Sequence, residues 1–267
     1  MKILKNILAV VLIIVLLVIL GFLGYGIYNK FIVKTQNPVV TFEIENYGNV
    51  KLELYPEVAP NTVANFIKLA ENGFYNGKVI YGKDTLCLYV GRLEDGNVSN
   101  PTVSMIDSSV ETGSEEDIEY QIKGEFVANG YEANNLSHEE GVISMIRYDY
   151  TQQIPDLVEE SYNSGNSQLG IMITNARDLN GLYAAFGKVT EGMDIFKKIA
   201  DESKIKELES EEAATGIDEF ETKPVIKSVT VETYGKDYGI PEYEEYFDYQ
   251  EYLTEMLSQY YSTSGIE

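Results

Sequence analysis

The sequence predicts a mainly β protein: a closed antiparallel barrel with a helix over each end, behind a transmembrane helix. Three observations carry this. Between residues 40 and 234 short apolar or alternating stretches recur, separated by turns rich in Gly, Pro and Asn. Two stretches in the same region show helical spacing instead. Residues 7–27, ILAVVLIIVLLVILGFLGYGI, carry no charge.

The elements follow in order. At 1.5 Å per residue, the 7–27 run is long enough for a hydrocarbon core of about 30 Å. Lys2 and Lys5 precede it and Lys30 and Lys34 follow. The free amine therefore tips the balance towards an inside N-terminus. This predicts a single-pass protein of the cell membrane with its domain on the extracytoplasmic side. The alternative is a cleaved signal peptide ending near Gly24-Tyr25-Gly26, against which the length of the apolar run argues. Residues 1–34 are then anchor and tether, 35–234 the domain and 235–267 a tail.

Residues 40–55 alternate on both sides of Asn46-Tyr47-Gly48-Asn49 and predict a β-hairpin. Asn61 is placed to cap a helix that presents Val63, Phe66, Ile67 and Ala70 on one face. Strands are predicted at 78–82, 85–90, 141–146, 169–174, 184–189 and 224–234. A second amphipathic helix is predicted over 193–203, with Met193, Phe196 and Ile199 on one face. Residues 94–120 and 205–222 read as polar loops. The tail holds Tyr238, Tyr243, Tyr246, Tyr249, Tyr252, Tyr260 and Tyr261. Tyr243, Tyr246, Tyr249 and Tyr252 recur every three residues, near helical spacing, so a helix laid on the domain or on a partner competes with a solvated, weakly structured tail; the acidity opposes a helix and favours the solvated reading.

Composition narrows the function. Cys87 is the single cysteine and His138 the single histidine. Ser-His-Asp and Cys-His catalysis, His-based metal sites and a disulfide framework are thereby excluded. Cys87 reads as a small buried apolar group, and His138 as the end of a loop before strand 141–146. The acidic clusters Glu115-Glu116-Asp117 and 209–212 lack an EF-hand pattern and read as solvated, so no metal is expected there. A net charge of −23 repels phosphate backbones, so nucleic acid is not an expected partner.

From residue 40 the order of motifs resembles the cyclophilin family of peptidyl-prolyl isomerases. The pieces are APNTVANF (59–66), GFYNG (73–77), YQIKGEF (120–126), HEEGVISMIR (138–147), GNSQLGIMIT (165–174), AAFGKVTEGMD (184–194) and PVIKSVTVE (224–232). The resemblance implies an eight-stranded antiparallel barrel capped by two helices. It also implies action on X–Pro bonds without metal or cofactor, with proline-containing polypeptides as partners. Rotating such an amide breaks its resonance against a barrier of about 18–20 kcal/mol. The family places an arginine donor opposite the amide nitrogen and grips the proline ring in an apolar pocket.

This chain departs from the family at those places. Where relatives read approximately FHRVIPGFMIQGG, residues 80–92 read IYGKDTLCLYVGR. The resemblance then puts Gly82 at the arginine, Cys87 and Leu88 at a Phe–Met pair, and Val90 at a glutamine. Gly170 stands at a second pocket phenylalanine. Ile146, Gln168, Leu179 and Tyr183 complete the implied groove. Lys83 neighbours Gly82 but should point to the opposite face, because side chains alternate. Arg147 is the substitute donor the sequence offers. An insertion, TQQIPDLVEESYN (151–163), lengthens a loop beside the groove. Losing a charge-assisted hydrogen bond of about 1.5–3 kcal/mol costs roughly ten- to hundredfold in rate. The expected function is a membrane-anchored isomerase of exported chains with weakened turnover. The alternative is a cyclophilin-like peptide- or protein-binding module that no longer catalyses.

Overall fold

A computed structural model of the chain describes residues 11–24, 36–207 and 216–264. It divides into two units, residues 1–36 and 37–267. In the first, residues 11–24 form helix α1, whose apolar side chains are exposed. Among the described residues no helix is long and apolar enough to cross a membrane. The ends of the expected span, 7–10 and 25–27, lie outside the described residues.

The second unit is built on one curled sheet. Its strands are β1 (Val39–Ile44), β2 (Gly48–Leu54), β3 (Val79–Lys83), β4 (Cys87–Arg92), β6 (Val142–Met145), β7 (Leu169–Met172), β8 (Ala185–Glu191), β9 (Asp218–Glu219) and β10 (Ile226–Glu232). They lie in the order β10-β1-β2-β8-β6-β7-β4-β3-β9, and every pairing is antiparallel. The start of β3 also meets the start of β10. Gly77 N donates to Ile226 O and Ile226 N to Lys78 O, both at 2.8 Å. A separate pair of strands, β5 (Tyr120–Gln121) and β11 (Glu244–Glu245), lies outside this sheet.

The curled sheet has nine strands where eight were expected. The ninth, β9, comes from the acidic stretch read as a loop. Two paired residues carry no period, so no alternation announced them.

The core forms where the alternation points. Val40, Phe42 and Ile44 of β1 and Val50, Leu52 and Leu54 of β2 are buried. Helix α2 (Pro60–Glu71) covers the sheet with Val63, Phe66, Ile67 and Leu69. Phe66 meets Phe42, Tyr75 and Phe186 at 6.3, 5.1 and 5.7 Å between ring centroids. Helix α4 (Met193–Glu202) buries Phe196, Ile199 and Ala200.

Asn61 does not cap α2. Ala59 occupies the cap position and Pro60 the first turn. The buried Glu125 carboxylate accepts instead from Asn61 N (3.0 Å), Thr62 N (2.8 Å) and the Thr62 hydroxyl (2.7 Å). Negative charge at a helix start suits the macrodipole.

The tail is corrected as well. Asn61 Nδ2 donates to Glu242 O (2.9 Å), and Glu242 N donates back to Asn61 Oδ1 (2.7 Å). β11 adds to β5, and Tyr243 meets the edge of Tyr120 at 5.7 Å. Residues 238–247 therefore dock on the domain by aromatic contact and strand pairing. Helix α5 (Tyr249–Ser264) follows, with Met256, Leu257, Tyr260 and Tyr261 exposed.

Candidate functional site

A cavity of about 370 Å³ opens on the outer face of β4 and β7. Alternation decides which side chains reach it. Ile80, Leu88 and Val90 turn into the core, while Tyr81, Cys87 and Tyr89 line the groove. Leu88 and Val90, which the sequence placed on the groove, are therefore core residues. The gapless register failed because β3 and β4 pair with two register shifts, between Val79 and Ile80 and between Ile80 and Gly82.

Gly82 is closed off from the groove. It pairs with Glu219 of β9, and a Cβ built on it would lie 2.6 Å from Asp218 O and 3.0 Å from Ile217 Cγ2. Glycine is what lets β9 approach this closely. Ile217, brought in beside β9, is itself a groove residue. Lys83 points elsewhere, its ammonium donating to Ala200 O at the end of α4.

Gly170 faces the groove opposite Tyr89. A Cβ there would meet Ile146 Cδ1 at 3.0 Å, Cys87 Sγ at 3.4 Å and Met172 Cε at 3.5 Å. A larger side chain at 170 would start against these three side chains. The groove draws its aromatic surface from Tyr81, Tyr89, Tyr148 and Tyr183 instead. Burial pushes the Cys87 thiol up to about 12, which leaves it an unreactive wall atom.

Ile146, Gln168, Leu179 and Tyr183 all line the cavity, as does Arg147. Gln168 joins two groove tyrosines: its Oε1 accepts from the Tyr81 hydroxyl (3.2 Å) and its Nε2 donates to the Tyr148 hydroxyl (3.1 Å). Asp84 accepts from Leu86 N and Cys87 N (both 2.7 Å) and from the Tyr89 hydroxyl (2.9 Å). Arg147 uses Nε on Leu182 O (3.1 Å) and Nη1 on Tyr148 O (3.4 Å). Its guanidinium lies 4.6 Å from the Tyr183 ring centre and 5.1 Å from that of Tyr162. Both bonds hold it to the rim. His138 is buried away from the groove surface, with Nδ1 against Asn180 Oδ1 (3.2 Å) and Nε2 against Ser144 Oγ (3.1 Å).

Sequence reasoning missed Arg92. Its guanidinium lies 4.2 Å from the Tyr81 ring centre, and Nη1 donates to Glu219 Oε1 at 3.2 Å. Nε is buried without a hydrogen-bond partner. Strict alternation after Val90 would send residue 92 inward. Gly91, at φ +118°, is the extra residue between the pairs Val79–Arg92 and Ile80–Val90, and it turns Arg92 outward. A glycine before a charged residue at a strand end was the available signal.

A larger depression of about 620 Å³ lies elsewhere, among Glu45, Glu202, Glu221, Lys198, Lys204 and Lys223. Those charged walls do not suit a proline ring, so the groove on β4 and β7 is the candidate site.

Residues 39–231 match the family model described as cyclophilin type peptidyl-prolyl cis-trans isomerase/CLD. The chain belongs to the cyclophilin-type peptidyl-prolyl isomerase family. It is 32% identical over 170 residues to peptidyl-prolyl cis-trans isomerase B of Bacillus subtilis, a match covering 64% of this chain and 96% of that protein. A peptidyl-prolyl cis-trans isomerase of Arabidopsis thaliana is 30% identical over 156 residues, covering 58% of this chain and 57% of that protein. A crystal structure of a Cryptosporidium parvum cyclophilin-type isomerase, solved in the presence of the dipeptide Ala-Pro, is similar in fold. Its TM-score is 0.50 at 19% identity, covering 73% of this chain and 98% of that one. In this cyclophilin Gly170 faces the groove, whereas Gly82 is covered by β9.

Proposed function

We propose that this cyclophilin binds X–Pro segments of exported polypeptides in the groove over β4 and β7 and isomerises them slowly. The observation that carries the reading is Arg92. Its guanidinium, 4.2 Å from the Tyr81 ring centre, stands in the wall of a cavity whose tyrosines and apolar side chains are joined by Asp84, Arg147, Asp149 and Gln168. As the amide twists, its nitrogen lone pair localises, and a nearby donor stabilises that state more than either planar form. Tyr81, Tyr89, Met172 and Leu179 supply apolar surface for the proline ring. No nucleophile is required. Weakened turnover follows from the shared donor: the Arg92 ion pair with Glu219 competes with the amide for the same charge.

The same proposal keeps the membrane address. The uncharged 7–27 run supports a retained anchor with the domain outside. A full chain that stays in the aqueous phase when membranes are sedimented, or a mature N-terminus near residue 27, would remove that part.

The test is a proline-limited refolding assay with the full chain in detergent. Acceleration above the buffer rate, at a level well below that of an unmodified relative, is the expected result. Binding of an Ala-Pro peptide without any acceleration would establish the binding-module reading, which the walled-off Gly82 favours. Neither binding nor acceleration would sink both.

A further inference from the structure

The C-terminal segment reaches the wall of the groove through stacked rings. Tyr249, at the start of α5, lies on Tyr150 with centroids 5.0 Å and planes 11° apart. Tyr150 lies on Tyr148 at 5.9 Å and 20°. Phe247 meets the edge of Tyr150 at 5.4 Å. Beyond Tyr148 the contacts are polar: Gln168 bridges the Tyr148 and Tyr81 hydroxyls. Tyr81 is the ring on which Arg92 rests. One unbroken series of contacts thus leads from the tail to the groove.

The loop over 148–163 has hydrogen bonds of its own, among them Tyr148 N to Ser164 Oγ (2.7 Å) and Tyr150 N to Ser161 Oγ (2.9 Å), but little regular structure. Its only regular pieces are a single 3-10 turn at Tyr150–Gln152 and the five-residue helix α3 (Val158–Tyr162). Helices this short have no stability of their own in water. Tyr150 is nevertheless only 8% exposed, and two of the rings around it, Phe247 and Tyr249, belong to the tail. The tail in turn is fixed upstream by the Asn61–Glu242 bonds, the β11–β5 pair and the Phe247 N bond to Gln121 Oε1 (3.1 Å).

We propose that Phe247 and Tyr249 are positioning residues for the groove. They hold Tyr150, and through it Tyr148 and Gln168, in the arrangement that receives an X–Pro segment, so that the tail sets peptide affinity. This rests on the groove being the peptide site. Arg92 is held from β9 by its pairing with Glu219 and rests on Tyr81. Removing the tail's rings therefore acts on binding and leaves the donor in place.

The test uses the full chain in detergent micelles, with Tyr249→Ala, Tyr249→Phe and a chain ending at Tyr246. Hydrogen exchange across 148–154 is read beside the Kd of a fluorescein-labelled Ala-Ala-Pro-Phe peptide, with Tyr81→Ala as the groove control. Faster exchange in Tyr249→Ala with about two- to tenfold weaker peptide binding, neither of which occurs in Tyr249→Phe, is the expected result. The truncated chain should show the larger change. Unchanged exchange in Tyr249→Ala and in the truncated chain overturns the proposal. Faster exchange with wild-type affinity, while Tyr81→Ala loses binding, also overturns it but leaves the groove reading standing. If no chain binds the peptide, the groove reading fails and takes the proposal with it, whatever the exchange shows.

Discussion

β1 and β2 bury every second residue and pair without a break from Val39–Glu53 to Ile44–Gly48, whereas β3 and β4 shift register twice within five residues. The first pair makes core and nothing else. The second pair forms the groove, and its shifts carry the site: one bulge turns Arg92 outward, and Gly82 admits β9. Irregularity in a sheet re-aims side chains, while regularity only packs them. The groove face takes its aromatic surface from Tyr81 and Tyr89 of this pair and from Tyr148 and Tyr183 beside it.

The comparison can be broken at either end. Phe66→Ala on the regular side should cost about 3–5 kcal/mol, because a fully buried ring is removed from a packed cluster. A thermal melt of the purified chain reads this, and a drop of a degree or two would show that the cluster is not the core. Gly82→Arg, which installs the arginine that the resemblance implied there, should damage rather than repair. A Cβ 2.6 Å from a backbone oxygen must displace β9, at about 1–3 kcal/mol of overpacking, and with it Glu219 and Ile217. Refolding activity is expected to fall in that variant; a gain would show that β9 yields easily and that the groove is merely stripped. Glu125→Gln should cost about 1–3 kcal/mol, since the start of α2 loses a charged acceptor. A denaturant midpoint unchanged from wild type would mean that the amide caps equally well.

The smallest effect is set by pH. Burial lowers His138 from its ordinary value of 6.5, so the folded chain resists the proton that the unfolded chain accepts. Stability is full above the unfolded value and declines as pH falls below it, because the unfolded state then binds more protons. Between about pH 7 and 5.5 the wild-type melting temperature should fall more steeply than that of His138→Gln. Parallel slopes would place the acid sensitivity among the carboxylates instead.

How much was legible depended on period. The hairpin over 40–55 and both amphipathic helices announced themselves, since their apolar residues repeat at 2 or 3.6 over a full element. Ile146, just after β6, and Gln168, just before β7, line the cavity. Leu88 and Val90 do not, because a register shift reverses inside and outside in one residue. Arg92 was hidden by the same effect at Gly91. β9 and β11 are too short to show alternation. The tail was misread because its charge was weighed against a helix of its own, while its rings pack on Tyr120 and Tyr150, residues more than ninety positions away.

The central claim is that Arg92 is the donor to the twisting amide. It is tested most directly by kcat/KM on a short Ala-Pro peptide, followed by exchange spectroscopy, for wild type, Arg92→Ala and Arg147→Ala. Loss of a charge-assisted donor predicts about ten- to hundredfold lower kcat/KM for Arg92→Ala, with peptide affinity changed far less, and a smaller loss for Arg147→Ala. Wild-type turnover in Arg92→Ala, together with its abolition in Arg147→Ala, would contradict the account and return the donor to the rim of the groove.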